Sequence, residues 1–166
     1  MKRALLAAPL LAAGCGNSDR DRQASDGQRA EVAAAIPAAA APTVSRRRGA
    51  LVRARQSSYG RTLVDRKGRT LYLFTRDSTP RSRCYGDCAT AWPPLFTKAR
   101  PRAGDGARAT RLDTTRRRGG AHQVTYRDHP LYYFAGDRSP GEINCQAVPE
   151  FGGIWYIVRP SGRAVR

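Results

Sequence analysis

Methionine occurs once, as the initiator, and histidine only twice, at His122 and His129. Metal and haem centres are therefore poorly supplied with ligands, and His129, directly before Pro130, reads as a hairpin residue. There is no Cys-x-x-Cys-His run, so no c-type haem attachment is indicated. No nucleophile-elbow glycine pattern appears, and the glycine-rich stretches lack phosphate-loop spacing. No catalytic constellation is found, and neither a cofactor nor enzymatic activity is expected. Acidic residues are scarce as well: 13 Asp and Glu face 30 Lys and Arg, a net charge of +17.

The shortage of apolar length is informative at the N-terminus. Met1-Lys2-Arg3 is followed by an apolar run of about ten residues, the size of a signal-peptide core and half of the about 20 that a spanning helix needs. Leu11-Ala12-Ala13-Gly14-Cys15 resembles a bacterial lipobox, which makes Cys15 the expected lipid attachment site. Two or more acyl chains, at about 0.8 kcal/mol per buried CH₂, would hold a domain at a bilayer surface. Residues 16–48 contain no aromatic residue and carry Pro37 and Pro42 within an Ala-rich run. They read as a disordered tether.

What remains is one domain over 49–160, with a short tail at 161–166 expected to fray. Residues 59–166 alone carry 20 cations against nine acids, or +11. Such a surface attracts polyanions, and with an export signal the expected partners are anionic envelope polymers or lipids. No nucleic acid is expected.

The domain repeats itself. Thr70-Leu71-Tyr72-Leu73-Phe74-Thr75-Arg76-Asp77 returns sixty positions later as Pro130-Leu131-Tyr132-Tyr133-Phe134-Ala135-Gly136-Asp137. Each copy ends a strand-turn-strand pattern: Thr62–Asp65 before the first, His122–Tyr126 before the second. The expected fold is mainly β, with two pseudo-repeated hairpin units at about 50–97 and 108–160. Leu51 to Arg55 and Gly153 to Val158 add strands, and a weak strand is expected near Ala109–Leu112. One short helix is expected around 83–91, with Ser82 as its cap and Pro93-Pro94 as its stop. Arg116-Arg117-Arg118-Gly119-Gly120 reads as a loop tip.

Two readings of the repeated motif are open. Tyr72, Phe74 and Asp77, with Tyr132, Phe134 and Asp137, form two aromatic-acid pockets for a ligand, or the aromatics pack while each Asp serves the turn that leaves its strand. In the first copy Leu71 and Leu73 share one face and Tyr72 and Phe74 the other. Both faces are apolar, so the strand is central or offers an aromatic face for binding.

Cys84 and Cys88, four apart, lie within disulfide range on a helix, and in an oxidising compartment a bridge is the default. A redox-active dithiol is the sharper alternative, with a redox protein as partner. Cys145 is left free, bridged to Cys84, or paired between molecules.

Together these residues resemble a group of bacterial lipoproteins, the secreted repeats of unknown function, marked by a repeated Tyr-x-(Phe/Trp/Tyr)-x-x-Asp motif. The matching stretches are Leu63 to Phe74, Cys84 to Leu95 with Trp92-Pro93-Pro94, Val124 to Asp137, and Gly152 to Tyr156. The resemblance implies an extracytoplasmic, membrane-anchored protein of the cell envelope and brings no activity with it. Where similar chains tend to have Asn-Gly-Gln-Gly, this one has Asn144-Cys145-Gln146-Ala147, and Pro149-Glu150-Phe151 looks inserted. The function expected is a lipid-anchored binding or structural module. The alternative is an accessory of extracytoplasmic electron transfer.

Overall fold

A computed structural model describes residues 48–166. Cys15, the signal segment and the tether up to residue 47 lie outside the described residues. The fold is mainly β, as expected. Strands β1 (Leu51–Ser57) and β2 (Gly60–Asp65) form a hairpin, with Gly60 at φ +80° in its turn, a conformation that glycine adopts without a Cβ clash. Strand β3 (Tyr72–Phe74), helix α1 (Asp87–Ala91), β4 (Phe96–Thr97) and β5 (Arg102–Ala103) follow. After a single 3₁₀ turn at Ala109–Arg111 come β6 (Leu112–Arg116), β7 (His122–Tyr126), β8 (His129–Pro130), β9 (Val148–Glu150) and β10 (Gly153–Ile157).

Three small sheets result: β2-β1-β5, with β5 parallel to β1; β3-β10-β9; and β4-β7-β6, with β8 also on β7. Both repeats begin alike. Leu71 N–H donates to Leu63 at 3.0 Å, and Leu131 N–H donates to Val124 at the same distance. The two-residue turn Arg127-Asp128 has φ of 49° and 63°, the paired left-handed values that match strand twist in a tight hairpin.

The repeats then exchange their exits. Leu95, which follows the first unit, accepts from Val124 N–H at 2.8 Å and donates to Leu131 at 2.9 Å. Val158, which follows the second, accepts from Leu63 N–H at 2.8 Å and donates to Leu71 at 3.2 Å. Likewise β4 pairs with β7 and β10 with β3. The sheets that hold β3 and β7 each take a strand from the other unit's last segment.

Alternation along the motif strands divides the interior in two. Leu71, Leu73 and Leu131 face a cluster with Val52, Leu63 and Val124. Tyr72, Phe74 and Tyr132 face another with Trp92, Trp155 and the Cys84–Cys88 pair. Full burial of such side chains contributes about 1.5–3 kcal/mol each, and the sign of that sum explains why both strand faces are apolar.

Three local expectations are corrected. The helix is shorter than 83–91 because Gly86 caps it at φ +56°, and Ser82 Oγ accepts from Cys84 N–H at 3.2 Å instead of capping. The weak strand at Ala109–Leu112 is the 3₁₀ turn; Tyr126 Oη captures Arg108 N–H at 3.0 Å there, and the strand starts at Leu112. The segment after Pro160 is no frayed tail. It turns at Gly162, Val158 bridges Ala164, and Val165 N–H donates to Ile157 at 3.0 Å, which buries the Val165 side chain.

Candidate functional site

The two motifs meet at Tyr72 and Tyr132, which form an isolated antiparallel bridge: each N–H donates to the other's carbonyl at 2.9 Å. Around it six aromatic rings pack in two related sets. Trp92 and Trp155 stack at 4.0 Å with their planes 2° apart. Tyr72 meets Trp92 edge-on at 5.3 Å, and Tyr132 meets Trp155 edge-on at 5.1 Å. Phe74 stacks on Trp155 at 4.1 Å, and Phe134 tilts against Trp92 at 4.7 Å. The two Tyr–Trp contacts have the edge-to-face geometry that ring quadrupoles favour.

The polar ends of the motif are also crossed between repeats. Tyr72 Oη donates to Asp137 Oδ2 at 2.6 Å, and Tyr132 Oη donates to Asp77 Oδ2 at 2.8 Å. The other carboxylate oxygen in each case holds a turn: Asp77 Oδ1 accepts from Arg83 N–H at 2.7 Å, and Asp137 Oδ1 from Asn144 N–H at 3.0 Å. Thus all four polar side chains of the motif are engaged internally. Tyr72 and Tyr132 are fully buried, while Phe74 and Asp77 edge a cleft of about 480 Å³ with Arg127, His129 and Arg163.

Cys84 and Cys88 form a disulfide, with Cα atoms 5.2 Å apart. Cys145 is a free, half-buried thiol. Burial, with the charges of Asp137 and Glu150 beside it, pushes that thiol above its ordinary range, which lowers its thiolate fraction.

Arg117 was not singled out by the sequence. Its guanidinium turns inward and donates to Ser82 Oγ at 2.6 Å, to Gln123 Oε1 at 2.7 Å and to the Cys84 carbonyl. It thereby ties the second repeat's hairpin to the disulfide segment of the first. It also lies 4.2 Å from the centre of the Tyr85 ring, with the Arg118 guanidinium at 4.7 Å from the same centre. Arg117 sits one residue past β6 and two on from Thr115, whose side chain is buried, so the strand's alternation carries it inward.

A family model described as a secreted repeat of unknown function matches residues 53–96 and 113–159, just over half of the chain. The chain belongs to that family. No curated protein and no solved structure matches it. Each secreted repeat so bounded ends on its exit segment, at Phe96 or just past Val158, whose hydrogen-bond partners lie in the other repeat.

Electrostatics within the secreted-repeat pair are uneven. Burial, together with the hydrogen bond and charge of Asp137, raises the Tyr72 hydroxyl above the ordinary phenol range. Burial and the Asp77 charge do the same to Tyr132. Burial also pushes the Asp77 carboxyl up to about 6, outweighing the Arg83 N–H, the Tyr132 hydroxyl and the charges of Arg117 and Arg83. His129 is lowered by burial and by Arg127, which favours the neutral ring. Among the described residues no group of three His, Cys, Asp or Glu side chains assembles as a metal site needs. No helix among them is long and apolar enough to cross a membrane.

Proposed function

We infer that this secreted repeat is a lipid-anchored interaction module of the bacterial cell envelope, fixed to the membrane through Cys15 and holding anionic envelope polymers or lipids on its basic surface. The observation that carries the reading is charge without internal neutralisation. Residues 59–166 carry +11, yet among the described residues the one ion pair is Arg69–Asp65 at 3.0 Å. The motif's hydroxyls and carboxylates are spent on joining the repeats, so the outer surface is where recognition is expected. The disulfide accords with an oxidising compartment. Its sulfurs belong to fully or nearly fully buried residues, with Cys84 at 0% exposure and Cys88 at 7%, which favours a staple over a dithiol in exchange with a redox partner.

Two measurements test this reading. The protein should be retained on anionic vesicles or wall material at low salt and released as the Debye length shrinks to about 3 Å near 1 M salt; indifference to salt would return the charge to mere composition. Separately, Cys15→Ala should leave the protein soluble or unprocessed. Membrane retention of that variant would remove the lipid anchor.

A further inference from the structure

Positive charge is not spread evenly over the described surface. Two adjoining clefts, of about 620 and 380 Å³, share Arg81, Ser82, Tyr85 and Arg118. The first adds Arg116 and Arg117, the second Arg76 and Arg83, so six arginines line the two clefts that share Tyr85. No Asp or Glu lines either cleft. The clefts elsewhere that hold Lys98 and Arg100, or Arg127 and Arg163, include Asp113 and Asp77 respectively. Asp77 does feel Arg117 and Arg83, but its oxygens are engaged by Arg83 N–H and the Tyr132 hydroxyl.

Arg117 is the fixed part of this basin. Only 7% exposed, it is clamped by Ser82, Gln123 and the Cys84 carbonyl, and it sets one side of the Tyr85 environment. Arg76, Arg81, Arg83, Arg116 and Arg118 are exposed around it. Bringing the Arg117 and Arg118 guanidiniums to the same ring costs mutual repulsion, which an arriving anion relieves. Guanidinium forks match phosphate oxygens in pairs.

We propose that the basin around Tyr85 is the binding site for a linear phosphate-bearing polymer of the envelope, whose successive phosphates occupy the two clefts. This rests on the reading of the chain as an envelope interaction module and names the site and ligand chemistry. A chain fits better than a bilayer. The site is concave, and the exposed large apolar residues that would insert into a membrane, Tyr59, Phe96 and Ile154, do not line it.

The test uses the full chain in neutral detergent, with inorganic polyphosphate as the probe and affinity read by calorimetry at several salt concentrations. The triple variant Arg81→Gln/Arg116→Gln/Arg118→Gln should lose at least about tenfold in affinity, and the slope of log K against log salt should fall by about 2, from roughly 0.7 per lost phosphate contact. A control triple, Arg61→Gln/Arg66→Gln/Arg102→Gln, also exposed and outside the basin, should lose far less. Equal losses in the two triples would overturn the basin while leaving charge-driven envelope binding intact. No binding by the unmodified protein would overturn both. Tighter binding to phosphatidylglycerol vesicles, or to a single-stranded oligonucleotide, than to polyphosphate would move the site to a membrane or to nucleic acid and overturn the polymer assignment.

Discussion

Tyr72 donates its hydroxyl to Asp137, 65 positions away, at 2.6 Å, and the equivalent Tyr132 returns the same bond to Asp77 at 2.8 Å. The family's repeated motif is thus a reciprocal lock: each tyrosine is satisfied by the other repeat's acid. A hydrogen bond to a charged group contributes about 1.5–3 kcal/mol. Tyr72→Phe and Asp137→Asn should each lower unfolding stability by that order. The double variant should cost clearly less than the sum, because Tyr72→Phe removes the same bond that Asp137→Asn weakens by removing its charge. Urea denaturation of the four proteins checks it, and strict additivity would show that the pair is not coupled.

The acid at the other end of the lock gives a pH dependence. With its carboxyl pushed up to about 6 in the folded state against about 3.9 unfolded, Asp77 binds its proton more tightly when folded. Its contribution is therefore fully present below the unfolded value and is lost as pH rises through about 6. Carbon-detected NMR should place the Asp77 midpoint near 6. Asp77→Asn should flatten the stability profile between about pH 4 and 6; a profile that keeps the same slope would assign it to other groups.

Much of this architecture was legible in the residues. The duplicated Leu-Tyr-x-Phe-x-x-Asp, with Leu71 and Leu73 opposite Tyr72 and Phe74, located both motif strands and their two buried faces. What the sequence did not carry was the exchange. A repeat in sequence reads as a self-contained unit, and nothing local says that Leu95 bonds to Val124 rather than Leu63, or that Asp137 serves Tyr72. Such pairings are set by chain topology, which periodicity does not report. Arg117 was missed for a different reason. In a run of three arginines ending in Gly119-Gly120, turn chemistry dominates the reading, while the alternation through Thr115 that aims Arg117 inward needs the strand's true extent, Leu112–Arg116.

The disulfide closes a very short loop, between residues only four apart. Loop entropy for about five residues gives on the order of 2 kcal/mol. Cys84→Ala/Cys88→Ala should lower thermal stability by about that amount without abolishing folding. In the unmodified protein, thiol labelling mapped by mass spectrometry should find Cys145 reactive and the pair protected until reduction. Its raised thiol should also make that labelling slow near neutral pH, since the thiolate is the reacting form. Fast labelling of Cys84 or Cys88 in the oxidised, folded protein would contradict the buried bridge.

Where similar chains tend to carry glycine at the end of Asn-Gly-Gln-Gly, this chain has Ala147, and its φ is +58°. A Cβ in the left-handed region meets the following carbonyl, at a cost of about 1–2 kcal/mol. Neighbouring bonds hold the segment there: Gln146 donates to the Val165 carbonyl at 2.7 Å and accepts from Ile157 N–H at 2.9 Å. The fold therefore tolerates the strain without relieving it. Ala147→Gly should raise stability by about 1 kcal/mol, less the extra freedom that glycine gives the unfolded chain. Chemical denaturation at constant m-value reads the difference. A loss of stability on that substitution would mean that the Ala147 methyl group contributes more by packing than its backbone conformation costs.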